Sequence, residues 1–159
     1  MRELLELLEK NARLSTAELA AILRRSEYEV ERDIQKLERD KILLSYNALI
    51  NWEKFGDDSV TAVIEINLTP QREVGFDAIA ERIYRFDEVR TVYLMSGSFD
   101  LLVIIEGKSL KEVADFVATR LSTIEGVTQT RSHFLLKAYK KDGIIIEDEE
   151  HDHRLVVSP

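Results

Sequence analysis

The chain contains no cysteine, which excludes a disulfide framework, a thiolate metal site and a cysteine nucleophile. Long apolar runs are also missing. Nothing approaches the roughly 20 consecutive apolar residues that a bilayer crossing needs, and the N-terminus is charged and helical instead of carrying a signal-peptide core. A cytoplasmic protein with no membrane partner is expected. Positive charge is not in excess either: the 159 residues carry a net charge of −8. Residues 1–58 hold ten basic and thirteen acidic side chains, residues 59–159 twelve and seventeen. Neither part is a basic domain, which argues against indiscriminate binding to nucleic acid, because phosphate contacts need Lys and Arg. No phosphate-binding glycine loop, zinc-protease helix, nucleophile elbow or dinucleotide fingerprint occurs. No cofactor, metal ligand or catalytic residue is therefore assigned, and an enzyme is not expected. His133 stands alone in a strand pattern, where a histidine is ordinarily a hydrogen-bonded sheet residue. His151-Asp152-His153 follows Glu147-Asp148-Glu149-Glu150 in an acidic terminal run with nothing to hold metal geometry.

What is present is an apolar share of 45%, enough for the core of one ordinary domain or two small ones. Two Ser-x-x-Glu signatures stand close to the start, Ser15-Thr16-Ala17-Glu18 and Ser26-Glu27-Tyr28-Glu29. Such a capping box satisfies orphan N–H groups at a helix start from both directions. The pair brackets a short second helix and opens a third. A first helix is expected over residues 2–11, with Leu4, Leu5 and Leu8 on one face. Leu19, Ala20, Ile22 and Leu23 mark the buried side of the second. Val30, Ile34 and Leu37 give the third a single apolar stripe, a helix-turn-helix layout whose third helix would enter a major groove. Candidate DNA contacts are Arg24, Arg25, Tyr28, Arg32, Gln35, Lys36 and Arg39. Glu27, Glu29, Glu31 and Asp33 stand against them.

Residues 45–50 read as a short strand, which makes the helical unit winged over residues 1–50. A polar, turn-rich linker follows over 51–59. Val60, Ala62, Ile64, Ile66 and Leu68 alternate as a strand with one buried face, ended by Thr69-Pro70. Phe76, Ile79, Ala80 and Ile83 repeat at helical spacing. Strands over 89–96 and 100–106 are joined by Gly97-Ser98-Phe99 as a hairpin. Ser109-Leu110-Lys111-Glu112 is a third capping box, opening a helix with Val113, Phe116, Val117 and Leu121 inward. A last strand runs over 127–138, and residues 144–146 add a short extra one. The resulting β-α-β-β-α-β order over 60–146 is a split arrangement with two helices on one sheet face. The other face needs covering, so homo-oligomerisation is expected. An acidic tail occupies 147–159. The class is α+β. A glycine turn followed by an acid offers N–H donors for a carboxylate and an acceptor for an ammonium, so Ser96, Gly97, Ser98, Phe99 and Asp100, with Thr130 and Ser132 from a neighbouring strand, are candidate effector contacts. The plain alternative is an ordinary hairpin in which Gly97 supplies a positive φ and Asp100 caps the turn.

Several segments together carry a resemblance. They are Asn11-Ala12-Arg13-Leu14-Ser15, Glu18-Leu19-Ala20, Arg32 with Ile34 and Leu37-Glu38, and Lys41-Ile42 leading to Ser45-Tyr46. The C-terminal half continues with Tyr93-Leu94-Met95-Ser96-Gly97-Ser98-Phe99-Asp100-Leu101 and Ile124-Glu125-Gly126-Val127-Thr128-Gln129-Thr130-Arg131-Ser132. The chain resembles the Lrp/AsnC (feast/famine) family of transcriptional regulators over almost its whole length. The resemblance implies an N-terminal winged helix-turn-helix and a C-terminal ferredoxin-like domain of the ACT/RAM type. It also implies double-stranded DNA as partner, an amino acid or related small-molecule effector, and a homo-oligomer: a dimer through the sheets, with tetramers or octamers as further steps. The acids of the third helix depart from the family pattern and open a second reading, an effector-binding oligomer that has lost DNA binding. A third reading, a siroheme decarboxylase of similar architecture, would need a His-Cys-Tyr type signature, which a chain without cysteine lacks.

Overall fold

The computed structural model describes residues 1–69 and 75–146. Pro70 and the acidic tail, with His151 and His153, lie outside the described residues. The chain divides into two units with the boundary between Ile50 and Asn51.

The first unit is three helices, α1 (Arg2–Lys10), α2 (Thr16–Leu23) and α3 (Glu27–Arg39). Both capping boxes form. Ser15 Oγ accepts from the Glu18 N–H at 3.3 Å while Glu18 accepts from the Ser15 N–H at 2.8 Å. Ser26 and Glu29 repeat the exchange at 3.3 and 3.1 Å. These bonds start each helix where the local sequence demands it. Leu4, Leu8, Leu19, Ala20, Val30, Ile34 and Leu37 form the core, with Leu5 and Leu23 partly buried against it. Ile22 is half exposed instead of buried, because a short helix presents only a narrow stripe and Leu19, Ala20 and Leu23 fill it. No strand forms over 45–50 among the described residues. An isolated extended segment has no partner to complete its hydrogen bonds, so the wing expected there is absent from the single chain.

The second unit opens with one helical turn, α4 (Trp52–Phe55), within the stretch expected to be a linker. Asn51 caps it by accepting from the Lys54 N–H at 2.9 Å, and Gly56 closes it at φ 92°. Then come β1 (Val60–Leu68), α5 (Phe76–Tyr84), β2 (Val89–Leu94), β3 (Leu101–Gly107), α6 (Leu110–Phe116) and β4 (Val127–Phe134). The sheet order is β2-β3-β1-β4, antiparallel throughout. The β-α-β-β-α-β order is therefore realised as an α+β layer pair. Alternation sends Ala62, Ile64, Ile66 and Leu68 of β1 and Leu101, Val103 and Ile105 of β3 to the helix side, where they meet Ile79, Ile83, Val113, Phe116, Val117 and Leu121.

Three local features differ from the sequence expectation. Ser109 Oγ accepts from the Glu112 N–H, but Glu112 reaches past Ser109 to the Lys108 N–H at 2.6 Å, so the third box is only half closed. A wide π-helical turn, Val117–Leu121, follows α6, with the Ser122 N–H bonded to the Val117 carbonyl at 2.9 Å. It lets Val117 and Leu121 both point inward beside Phe116. β4 stops at Phe134, and Ile144–Ile145 pairs with Lys140–Lys141 in a small separate hairpin, β6 with β5, turned by Asp142 and Gly143 at φ 47° and 82°.

Candidate functional site

Helix α3 carries its polar residues in distinct stripes. Val30, Asp33, Ile34 and Leu37 are buried. At 3.6 residues per turn the side opposite them is occupied by Tyr28, Arg32, Gln35 and Arg39, spaced i, i+4, i+7, i+11, with Lys36 beside them. All five are exposed, Tyr28 at 77%. No acid stands in that outward row.

The acids that weigh against nucleic-acid binding in a count along the sequence are instead engaged within the unit. Glu29 belongs to the capping box, and the hydroxyl and N–H of Ser26 hold its carboxyl below the usual carboxylate range. Asp33 is buried and accepts from Arg25 Nη2 at 2.7 Å, with Arg32 Nη2 at 3.7 Å from its other oxygen. The Arg25 hydrogen bond holds the Asp33 carboxyl low. Glu31 accepts from the Thr16 hydroxyl at 3.1 Å and from Gln35 Nε2 at 3.1 Å. Glu38 accepts from the Tyr46 hydroxyl at 2.9 Å, and partial burial together with that bond pushes the Tyr46 phenol up to about 12. Of the acids within α3, only Glu27 has no partner among the described residues.

This adds a structural part for one of two neighbouring candidates. Arg25 is a strut between the α2–α3 turn and α3. Arg24 ends α2 in the left-handed region at φ 53°, and its exposed side chain remains available. Neither the Asp33–Arg25 pair nor the Thr16–Glu31 bond is evident in the sequence pattern. The available signal was Asp33 itself, an acid one residue from Ile34 inside the apolar stripe, which a helix tolerates only with a partner.

The second candidate site is the turn between β2 and β3. The Met95 N–H donates to the Asp100 carbonyl at 2.8 Å, and the Asp100 N–H donates to the Ile66 carbonyl at 2.9 Å. Asp100 Oδ2 accepts from the Leu68 N–H at 2.7 Å. Asp100 thus ties the turn to the end of β1, leaving Oδ1 without a partner among the described residues. Gly97 does not take a positive φ, so the hairpin does not require glycine there on backbone grounds. Asn67, which sequence reasoning missed, donates from Nδ2 to the Ser98 carbonyl at 3.0 Å, and its own carbonyl accepts from Thr128 Oγ1 at 3.0 Å. The backbone N–H groups of Gly97, Ser98 and Phe99 have no acceptor among the described residues. The turn therefore offers unpaired donors beside one free carboxylate oxygen.

Thr130 and Ser132 are placed differently. Strand β1 separates β4 from β3, so the two are about 10 Å apart at the ordinary strand spacing. Thr130 faces Ile66 and Ser132 faces Ile64 in the register, which puts both toward the helix side. Thr130 Oγ1 lies 3.2 Å from Ser122 Oγ. The structure does not bring these two side chains to the 97–100 turn.

On the sheet's uncovered side, Val63, Leu102 and Ile104 form an apolar centre. Glu65 accepts from Arg131 Nη1 at 2.8 Å and lies 3.3 Å from His133 Nε2, while Arg90 Nε donates to Glu106 at 2.7 Å.

Comparison with known proteins agrees with this architecture. The Lrp/AsnC ligand binding domain matches residues 61–145. An HTH-type transcriptional regulator of Bacillus subtilis (strain 168), YugG, is 48% identical over 158 residues, 99% of this chain and 95% of its own length. The HTH-type transcriptional regulator LrpA of Pyrococcus abyssi is 31% identical over 137 residues, 86% of this chain and 94% of its own. Among solved structures, a feast or famine regulatory protein from M. tuberculosis complexed with L-methionine superimposes with a TM-score of 0.73 at 25% identity, over 92% of this chain and 96% of that one.

Proposed function

Because this chain belongs to the Lrp/AsnC family, we propose that it is a transcriptional regulator that binds duplex DNA through α3 and responds to an amino acid at the 97–100 turn. The observation that carries the DNA reading is the outward row Tyr28–Arg32–Gln35–Arg39, free of acids, with Lys36 beside it and Arg24 near the start of α3. Arg24, Arg32, Lys36 and Arg39 supply phosphate contacts; Tyr28 and Gln35 reach base edges. The open sheet face is covered by a second copy. Its apolar centre and its internally paired charges suit self-association, since a face meeting its own copy cannot carry unpaired charge without repulsion.

The effector reading rests on the unpaired N–H groups of residues 97–99 and on Asp100 Oδ1. A carboxylate takes the donors and an ammonium takes the acceptor. L-Methionine is the first ligand to try, given its presence in a solved relative. Asp100→Asn separates the two duties of that side chain, because the amide oxygen still accepts from Leu68 while the negative charge is gone. Calorimetric titration should show a folded variant with amino-acid affinity reduced tenfold or more; undiminished affinity removes Asp100 from the site.

The second reading, an effector-binding oligomer without DNA binding, is motivated by the acids of the third helix, Glu27, Glu29, Glu31 and Asp33. Selection of fragments from the source genome by the purified protein, with and without amino acids, decides between them. Enrichment that weakens in Arg32→Ala and Lys36→Ala supports the regulator. A lower salt slope, by about 0.9 for each phosphate left without its cation, should accompany it.

A further inference from the structure

Gln35 is held by a short polar relay. Thr16, the first residue of α2, donates its hydroxyl to Glu31 on α3 at 3.1 Å, and Glu31 accepts from Gln35 Nε2 at 3.1 Å, one turn further along. The relay settles which way the amide faces. An ionised carboxylate only accepts hydrogen bonds, so the nitrogen of Gln35 must face Glu31 and its oxygen must face away. What the bond leaves over is one N–H donor and the Oε1 acceptor, side by side on the outward row of α3.

We infer that Gln35 is an adenine-reading residue, with Glu31 and Thr16 as the positioning residues that preset its amide. The inference rests on the DNA-binding reading above. The major-groove edges of the four bases discriminate as follows. Adenine presents an acceptor, N7, beside a donor, the N6 amino group, matching a donor and an acceptor in one amide. Guanine presents two acceptors, cytosine a donor and thymine an acceptor with a methyl group, and none of these satisfies both halves of the Gln35 amide. Presetting matters because a free glutamine side chain samples many rotamers and either amide orientation, and fixing it in advance removes that cost from binding. The arrangement also gives Glu31 a duty within the helical unit. Each of its oxygens is occupied by a donor from its own chain.

The test is selection from a randomised double-stranded DNA pool by the full-length protein, in parallel for wild type, Gln35→Ala, Glu31→Ala and Thr16→Val. Thermal melting of each variant controls for folding, and Gln35 is exposed on a helix face that alanine favours. The expected wild-type consensus contains an A·T pair in each half-site that Gln35→Ala abolishes, with discrimination at that position falling about 5- to 150-fold and the other positions retained. Glu31→Ala and Thr16→Val should relax the same position to a smaller extent and no other, which a purely structural role for the relay would not do. A consensus unchanged in Gln35→Ala, or a base other than adenine lost there, overturns the inference while leaving DNA binding intact. No enrichment by the wild type overturns the DNA-binding reading and this inference with it.

Discussion

The helical unit and the sheet unit handle charge in opposite ways. In the first, acids are drawn into the frame: Glu18 and Glu29 close capping boxes, Asp33 takes Arg25 and Glu31 joins Thr16 to Gln35. The exposed row of α3 is left with cations and neutral polar groups. In the second, β1 and β3 present only apolar residues to the helices, and the ion pairs Glu65–Arg131 and Glu106–Arg90 stand on the open face itself. The lesson is that net charge summed over a segment says little about a surface. A sum treats Asp33, buried in a bond to Arg25, as equal to a free acid facing a duplex, and it is neither free nor facing.

If the two units are separate folding units, core truncations should act on one and spare the other. Leu37 is 1% exposed and Ile64 fully buried. Each change to alanine should cost about 2–5 kcal/mol in its own unit. The effect should be larger in consequence for Leu37→Ala, because a unit of some fifty residues has little stability to spare. Hydrogen exchange resolves it: Leu37→Ala should strip protection from α1–α3 and leave β1 and β3 protected, with the reverse for Ile64→Ala. Joint loss of protection in both units from either variant would break the comparison.

Arg25 and Arg32 sharpen it within the helical unit. Removing Arg25 strands a buried carboxylate, so Arg25→Ala should destabilise by about 1–3 kcal/mol. Arg32, exposed and 3.7 Å from Asp33, should cost at most about 0.5 kcal/mol on mutation, yet weaken DNA binding more. The pH dependence follows from Asp33. Its carboxyl is held below the ordinary value near 3.9, so its contribution is present above that pH and is lost as pH falls through the depressed folded value. The capping acids Glu18 and Glu29 are lowered in the same sense. Acid melts of the helical unit should therefore lose stability below about pH 4, and Asp33→Asn should flatten that limb. A flat acid limb in the wild type would deny Asp33 its part.

What could be read in the sequence was whatever depends on neighbours along the chain. The capping boxes at Ser15 and Ser26 are four-residue signals, and the alternation from Val60 to Leu68 states its own buried face, so the elements and their order were legible. Features that depend on distant partners were not. Asp33 looks like one more surface acid until Arg25 is seen beside it. Residues 45–50 have strand composition but no second strand. The turn Val117–Leu121 widens by one residue without any glycine or proline to mark it. At the second site, Gly97-Ser98-Phe99-Asp100 was legible as a turn. Asn67 was not, since its bond to Ser98 spans 31 positions. That Thr130 and Ser132 lie away from the turn within one chain was not legible either, because sheet order, which places β1 between them, is a property of the fold and not of spacing.

The smallest expected effect on stability is the most telling for the sheet unit. Gly97 has no positive φ, and a Cβ built there would meet nothing within 4 Å. Alanine therefore fits the backbone without strain or clash, and it restricts the unfolded chain more than glycine does. Gly97→Ala should leave stability within about 0.5 kcal/mol of wild type or raise it slightly. Gly143, at φ 82° in the hairpin turn, is the contrast: alanine there should cost about 1–2 kcal/mol. With folding thus unaffected at Gly97, any change in amino-acid affinity is a direct report on the turn as a ligand cradle. A methyl at residue 97 stands beside the unpaired N–H groups of residues 97–99, where it would crowd a carboxylate arriving from that side. Calorimetry should show several-fold weaker binding of L-methionine to Gly97→Ala, with melting unchanged. Equal affinity in the two proteins would mean that the ligand does not approach the turn from this side, and the open donors there would belong to the hairpin alone.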